Sequence, residues 1–267
     1  MDAPPLLSIQ LSVDYPGKPG VLRNLSLDLG EREILGLVGE SGCGKSTLAL
    51  AVLKLLYLKK AKTTGSLQFK GHDLMALSER EMREFRGNQI GLILQSPMSS
   101  LNPALRIRTQ LEEAWKVHRH GSRNEIQGAL LDAMETVSLP REQDFLRRYP
   151  SQLSVGQAQR VLIAMAVLHR PPLLIADEAT SALDLITQAE ILQLFASLSA
   201  KFGMSILYIS HDLLSVATIS HRVAVMRQGE IVECRRTAEI FRHPQHPYTR
   251  QLVQSLPVTP RLAAAGA

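Results

Sequence analysis

The amino-acid sequence predicts an α/β fold, in which a mainly parallel sheet is flanked by helices and interrupted by a helical insertion. Short apolar segments alternate with helical patterns along most of the chain, which is typical of parallel strands joined by helices. Strand signals vanish between about residues 96 and 152, and helical periodicity replaces them. With 267 residues, 45% of them hydrophobic, the chain has enough apolar material for a sizeable core.

The first part of the chain contains mostly strand patterns. Residues 7–13 alternate apolar and polar side chains, which predicts a half-buried strand, whereas residues 33–38 are almost continuously apolar, as in a buried parallel strand. Strands are predicted at 7–13, 25–29, 33–38, 65–73 and 90–94, and a helix at 45–56.

The rest of the chain first becomes helical and then alternates again. Helices are predicted at 109–118, 124–137, 158–168 and 187–201, and strands at 173–176, 205–209 and 223–226. The segment after Arg235 contains four prolines, and its last residues, LAAAGA, are expected to be frayed.

Charge and cysteine content limit the functional classes. The net charge of +5 is scattered, and its densest run, Lys59, Lys60 and Lys62, is interpreted as a solvated loop. Nucleic acid is therefore not predicted as a partner. Cys43 and Cys234 form neither a metal-ligand spacing nor a disulfide framework, which favours a reduced, cytosolic setting. We find no signal-peptide pattern and no run of about 20 apolar residues, so membrane association is expected through a partner protein or the surface.

A phosphate-binding loop is predicted at residues 39–47, whose sequence GESGCGKST matches G-x-x-x-x-G-K-[ST]. Gly39, Gly42 and Gly44 allow the backbone to bend around an anion, and the following helix presents its N–H groups. Lys45 would supply a positive charge at the terminal phosphates, and the Ser46 hydroxyl can ligate Mg²⁺. A strand before the loop and a helix after it favour this interpretation over a chance glycine-rich turn. The predicted nucleotide-binding residues here are Gly39, Ser41, Gly42, Cys43, Gly44, Lys45, Ser46 and Thr47.

Two acidic residues follow the apolar strand at 173–176. Carboxylates at the end of a buried strand require compensation for lost hydration. Beside a phosphate-binding loop, Asp177 would hold the Mg²⁺ shell and Glu178 would polarise a water for attack on the γ-phosphate. The alternative is an acid pair that caps the next turn.

Ser154 and Gln157 precede a predicted helix with the spacing of a capping box. The same helix N-terminus, with a serine hydroxyl and the backbone of Gly156, would also attract an anion. The spacing alone does not choose between the two interpretations.

Taken together, these motifs resemble the ATPase domains of ABC transporters. Residues 153–160, LSVGQAQR, resemble the family's signature LSGGQ, and 181–184, SALD, resemble its D-loop. Gln95 resembles the Q-loop glutamine, His211 the switch histidine, and Tyr15 the aromatic residue that stacks on adenine. Taken alone, His211 and Tyr15 could instead be core residues, and Gln95 could be a polar loop residue.

The resemblance implies ATP and Mg²⁺ as cofactors and completes the predicted site. The implied catalytic residues are Glu178, His211 and Gln95, the implied metal ligands are Ser46, Gln95 and Asp177, and the further nucleotide-binding residues are Tyr15, Asp177, Ser154, Gly156 and Gln157. Two positions depart from the family pattern: Val155 replaces the first signature glycine, and Ala179 replaces the usual proline after the catalytic glutamate. Val155 is expected to weaken the site that the signature completes, because a β-branched side chain crowds an approaching phosphate.

The C-terminal part resembles a narrower group, the oligopeptide, dipeptide and nickel import ATPases. Residues 246–252, HPYTRQL, with 255–257, SLP, resemble the C-terminal segment of that group, and 95–103 resemble its extended Q-loop. The resemblance implies an importer of peptides or nickel. An exporter subunit and, less favoured, a non-transport ABC ATPase remain the alternatives. No cysteine follows Cys234, so no iron–sulfur centre is expected.

The same resemblance implies an assembly and a domain division. The expected partners are a second ABC ATPase subunit, two membrane permease subunits and an extracytoplasmic substrate-binding protein, with the chain peripheral on the cytoplasmic face of the cell membrane. The expected fold is a P-loop NTPase with an N-terminal antiparallel β portion and an inserted α-helical subdomain. Residues 1–95 and 170–235 would form the RecA-like ATP-binding core, 96–169 the helical signature subdomain, and 236–267 the importer-type tail.

Overall fold

The computed structural model describes residues 4–256, and the predicted frayed end and Pro257 and Pro260 lie outside them. The strands are β1 (Leu7–Tyr15), β2 (Lys18–Leu29), β3 (Ile34–Gly39), β4 (Lys62–Phe69), β5 (His72–Asp73), β6 (Ile90–Ile93), β7 (Leu173–Asp177), β8 (Ser205–Ser210), β9 (Arg222–Arg227) and β10 (Glu230–Arg236). The helices are α1 (Lys45–Val52), α2 (Glu79–Phe85), α3 (Pro97–Ser100), α4 (Ile107–Lys116), α5 (Arg123–Thr136), α6 (Gln143–Leu146), α7 (Val155–Val167), α8 (Leu185–Phe202), α9 (Leu213–Ile219), α10 (Thr237–Arg242) and α11 (Pro247–Gln254), with 3₁₀ turns at Leu56–Lys59 and Pro150–Gln152.

A six-stranded sheet with the order β10-β9-β3-β8-β7-β6 forms the centre of the molecule. All its neighbouring pairs are parallel except β9 and β10, which confirms the mainly parallel prediction. Every residue of β3, β7 and β8 is buried, because both faces of the sheet are covered. The carboxyl ends of parallel strands meet at one edge, so the loops after β3, β6, β7 and β8 lie side by side there.

A second, antiparallel sheet has the order β2-β1-β4-β5, as expected for the N-terminal portion. The alternating pattern of β1 buries Leu7, Ile9, Leu11 and Val13 against the core. The segment predicted as one strand with a turn, 65–73, is a hairpin of β4 and β5. The predicted strand at 25–29 is the second half of the longer strand β2.

The described residues between β6 and β7 contain helices and no strand, which agrees with a helical insertion. Two of its helices begin with complete capping boxes, Ser122 with Glu125 and Ser154 with Gln157. No helix in residues 4–256 is both long and apolar enough to cross a membrane.

The structure differs from the sequence predictions at several places, and α2, α9 and β10, for example, were not predicted. The helix predicted over 45–56 ends at Val52, because Lys54 adopts a left-handed φ of 51° and a 3₁₀ turn follows. The proline-containing segment after Arg235, for which no element was predicted, includes α10 and α11. Pro247 is the first residue of α11, where its missing N–H costs nothing and its fixed φ suits a helix.

Candidate nucleotide-binding and hydrolysis site

The phosphate-binding loop connects β3 to α1, and its backbone needs glycine at three positions. Gly42 and Gly44 have left-handed φ values of 79° and 116°. A Cβ atom on Gly39 would lie 2.2 Å from the Met226 carbonyl oxygen, and one on Gly44 would lie 2.7 Å from Leu22 Cδ2. Other residues would therefore either strain the loop or push it away from β9 and β2.

Lys45 is buried and closes the loop on itself. Its Nζ donates hydrogen bonds to the carbonyl oxygens of Gly39, at 2.8 Å, and Glu40, at 3.0 Å. The neighbouring Cys43 is also buried, and burial raises the pKa of its thiol although the Lys45 charge acts in the opposite direction. A protonated thiol is a poor nucleophile, so Cys43 contributes backbone to the loop rather than chemistry.

A cavity of about 480 Å³ lies in front of the loop. Its lining residues are Tyr15, Lys18, Val21, Ser41, Gly42, Gly44, Lys45, Ser46, Thr47, Lys59, Gln95 and Glu178. Tyr15 lies at one side, with its hydroxyl 3.3 Å from Thr47 Oγ1. Lys18, Val21 and Lys59 were not among the predicted site residues. Lys59 was interpreted as part of a solvated loop, and the structure instead places it at the cavity.

Asp177 ends β7 and is buried beside the loop. Burial raises the pKa of its carboxyl group, while the nearby Ser46 hydroxyl and Lys45 amine act in the opposite direction. Its buried Oδ1 atom has no hydrogen-bond partner among the described residues. A buried oxygen without a partner, next to a serine hydroxyl, fits a hard divalent cation such as Mg²⁺.

Glu178 brings together the predicted catalytic residues from three loops. Its Oε2 accepts a hydrogen bond from Gln95 Nε2 at 3.0 Å and lies 3.4 Å from His211 Nδ1. Its backbone has a left-handed φ of 49°, which is uncommon for a residue with a side chain. A hydrogen bond from the Glu178 N–H to the Ile209 carbonyl, at 2.9 Å, helps to stabilise this uncommon backbone conformation.

The signature residues lie apart from this cavity, at the N-terminus of α7. The Ser154 hydroxyl accepts from the Gln157 N–H at 3.2 Å, and Gln157 Oε1 accepts from the Ser154 N–H at 3.1 Å, so the capping-box interpretation is confirmed. Val155 is 42% exposed. Gly156 packs on α8, where a Cβ would lie 2.7 Å from Thr187 Cγ2. The predicted nucleotide ligands Ser154, Gly156 and Gln157 therefore do not line the cavity that Lys45 lines in this chain.

Comparison with known protein families identifies the family to which the chain belongs. A family model described as "ABC transporter" matches residues 22–181, which is more than half of the chain. The chain belongs to the ABC transporter family. A second model, described as "Oligopeptide/dipeptide transporter, C-terminal region", matches residues 232–264.

Individual relatives agree with both matches. This ABC ATPase is 44% identical to the probable peptide ABC transporter ATP-binding protein y4tR of Sinorhizobium fredii, over 92% of this chain and 75% of that protein. It is 43% identical to the dipeptide transport ATP-binding protein DppD of Bacillus subtilis, over 91% of this chain and 73% of that protein.

A solved structure shows the same fold. The ATP-binding cassette MJ0796, whose dimeric structure represents a post-hydrolysis state bound to ADP and Pi, superposes with a TM-score of 0.74 at 27% identity. The match covers 86% of this chain and 98% of the other. The chain is therefore an ATP-binding and ATP-hydrolysing subunit of an ABC transporter.

In this ABC ATPase a buried polar network, missed from the sequence, connects the Glu178 and His211 loops. Thr180 Oγ1 lies 2.9 Å from the Tyr208 hydroxyl, which donates to Ser215 Oγ at 3.3 Å. Ser215 in turn lies 3.4 Å from Ser210 Oγ, and Ser210 accepts from the Asp212 N–H at 3.0 Å. A satisfied buried network of this kind restrains both loops, because breaking one bond leaves a buried polar group unpaired.

Proposed function

We propose that this chain is the ATP-hydrolysing subunit of a peptide importer. The observation that carries the proposal is the C-terminal match to the oligopeptide/dipeptide transporter region, over residues 232–264. The two relatives described above are peptide and dipeptide transport proteins, which supports the same cargo class. Nickel, the other cargo suggested by the sequence resemblance, has no support among these relatives and serves as the alternative in the test below.

The proposed ATP site uses the residues gathered around the cavity. The loop N–H groups and Lys45 bind the phosphates, and Tyr15 stacks on the adenine. Ser46, Asp177 and Gln95 would hold Mg²⁺, which offsets phosphate charge when bound.

Hydrolysis is proposed to depend on Glu178, which accepts a proton from the attacking water. Gln95 and His211 keep the Glu178 carboxylate in place, a role supported by their 3.0 and 3.4 Å contacts to its Oε2 atom.

The remaining predicted nucleotide ligands, Ser154, Gly156 and Gln157, are proposed to act on a second ATPase subunit. Their place at an exposed helix N-terminus outside this chain's own nucleotide cavity supports this, since such an end is open to a phosphate held by another chain. We propose that the pair works with two permease subunits and an extracytoplasmic substrate-binding protein, with the chain peripheral on the cytoplasmic face of the cell membrane.

The proposed domain division follows the sequence boundaries. Residues 1–95 and 170–235 form the ATP-binding core, 96–169 the helical signature subdomain, and 236–267 the importer-type tail. The run of helices without strands between β6 and β7 supports the middle boundary.

Uptake by the reconstituted transporter tests the proposal. The chain, its partner ATPase and its permeases are placed in proteoliposomes with the substrate-binding protein outside, and uptake of a labelled dipeptide and of Ni²⁺ is measured with ATP inside. We expect dipeptide accumulation that disappears in the Glu178→Gln variant. Accumulation of Ni²⁺ without dipeptide, or movement of substrate outwards, would reject the peptide-importer assignment.

A further inference from the structure

One side chain of the C-terminal segment reaches the phosphate-binding loop. Tyr248, in α11, is only 3% exposed, and its hydroxyl oxygen accepts a hydrogen bond from the Glu40 N–H at 3.1 Å. The guanidinium of Arg227 lies 4.8 Å from the centre of the tyrosine ring. The ring is therefore held by packing, and its hydroxyl is the group that touches the loop.

The Glu40 N–H belongs to the peptide group that joins Gly39 to Glu40. A trans peptide is planar, so its N–H and its C=O point in opposite directions. The oxygen of this same peptide, Gly39 O, accepts the 2.8 Å hydrogen bond from Lys45 Nζ. Tyr248 thus holds one side of the peptide plane, and Lys45 is bound to the other side.

The plane needs such a restraint because Gly39 has no side chain to limit its rotation. If the plane turned, the Gly39 oxygen would leave Lys45, and the amine would keep its bond to the Glu40 oxygen and its long 4.0 Å contact with Cys43 Sγ. The hydroxyl of Tyr248 opposes that rotation, because turning the plane would also break the hydrogen bond to the Glu40 N–H.

Tyr248 itself is anchored independently of the loop. The carboxylate of Glu233, in β10, accepts hydrogen bonds from the N–H groups of Gln245 and His246, both at 2.9 Å. His246 Nδ1 then accepts from the Tyr248 N–H at 3.2 Å and caps α11. The start of α11 is therefore bound to the central sheet through contacts that do not involve Glu40.

We infer that Tyr248 is a positioning residue for ATP binding: it fixes the Gly39–Glu40 peptide and, through it, the amine of Lys45. The inference rests on the proposed role of Lys45 at the phosphates. It assigns the C-terminal region a part in the nucleotide site, beyond any role in the choice of cargo.

The Tyr248→Phe variant tests this by removing one oxygen while keeping the ring against Arg227. Tyr57→Phe is the matched control, since it removes the same atom from an exposed tyrosine outside the cavity. The dissociation constant for ATP is measured on the full chain, together with the thermal midpoint without nucleotide. We expect Tyr248→Phe to weaken ATP binding about threefold to tenfold, the range for one lost hydrogen bond, and Tyr57→Phe to leave it unchanged.

A purely structural tyrosine would give a different result. In that case Tyr248→Phe would lower the thermal midpoint but leave the dissociation constant for ATP unchanged below the transition, and the inference would be overturned. In a Lys45→Ala chain, Tyr248→Phe should weaken ATP binding no further, because the positioned amine is gone. If Lys45→Ala itself binds ATP as well as the unaltered chain does, the proposed phosphate site fails. If Tyr248→Phe leaves the dissociation constant for ATP unchanged while Lys45→Ala raises it, only the role of Tyr248 is rejected.

Discussion

Gly156 is expected to be essential for packing within this chain as well as for any contact with nucleotide. It is the second residue of α7, and an alanine Cβ at this position would lie 2.7 Å from Thr187 Cγ2 in α8. Thr187 cannot easily turn aside, because its Oγ1 donates to Asp184 Oδ2 at 2.7 Å. Gly156→Ala therefore has to separate the two helix starts or break the Thr187 hydrogen bond.

The size of the effect follows from two opposing contributions. Carbon atoms prefer about 3.5–4.0 Å, so the alanine would be about 1 Å too close, and overpacking of this kind costs about 1–3 kcal/mol. Alanine gains at most about 1 kcal/mol over glycine in a helix, and less in its first turn. We expect a net destabilisation of about 1–2 kcal/mol.

A double-mutant cycle with Thr187→Ser isolates the clash. Serine lacks Cγ2 but keeps the hydroxyl that binds Asp184, so Gly156→Ala should become neutral or slightly stabilising in that background. The free energy of unfolding of the four chains is measured by urea denaturation, and the expected coupling is at least about 1 kcal/mol. Equal destabilisation by Gly156→Ala in both backgrounds would refute the contact as the cause.

Three further results are expected. Glu178→Gln should keep ATP binding but lower the rate of phosphate release by the assembled complex about 100-fold or more, because an amide does not accept a proton from water. An unchanged rate would show that Glu178 is not the catalytic base. The isolated chain should hydrolyse ATP weakly and gain turnover with its partner ATPase and permeases, and full turnover from a monomer by light scattering would contradict the shared site. Burial alone would raise the pKa of Glu233, but hydrogen bonds from Gln245 and His246 outweigh burial and lower the pKa in the folded chain. The ionised carboxylate therefore stabilises the fold fully above its unfolded-state pKa, and this stabilisation is lost as the pH falls through the lower folded-state pKa. Glu233→Gln should therefore lower the thermal midpoint at neutral pH, and by less in acid; a difference that does not change with pH would argue against this.

Much of the fold was predictable because side-chain patterns report burial directly. The alternation in 7–13 and the apolar run in 33–38 correspond to β1 and β3. The early end of α1 was not predictable, since Lys54 takes a left-handed conformation without being glycine. No helix was predicted over the proline-containing segment after Arg235, yet Pro247 is the first residue of α11, a position that suits proline.

The candidate site was predictable where a motif carries its own chemistry. Glu178 was predicted from the acid pair after the apolar strand, whereas Gln95 and His211 came from the family resemblance. The structure places both of these side chains beside the Glu178 carboxylate. Contacts between distant segments carry no such local pattern. The hydrogen bond from the Glu40 N–H to Tyr248 joins residues 208 positions apart, and no periodicity or spacing in the sequence predicts it.

Val155, next to Gly156, is expected to matter only between subunits. It is the first residue of α7, so its backbone is helical and gains nothing from the conformational freedom of glycine. Its side chain is 42% exposed, so the crowding predicted from the sequence would be felt by an approaching phosphate rather than by this chain. Val155→Gly should therefore raise turnover of the assembled complex while leaving the stability of the isolated chain unchanged or up to about 1 kcal/mol lower. The gain should disappear when the partner's catalytic glutamate is removed, because the signature completes the partner's site. If turnover and ATP affinity stay the same, valine is tolerated there and the two sites are not made unequal by this residue.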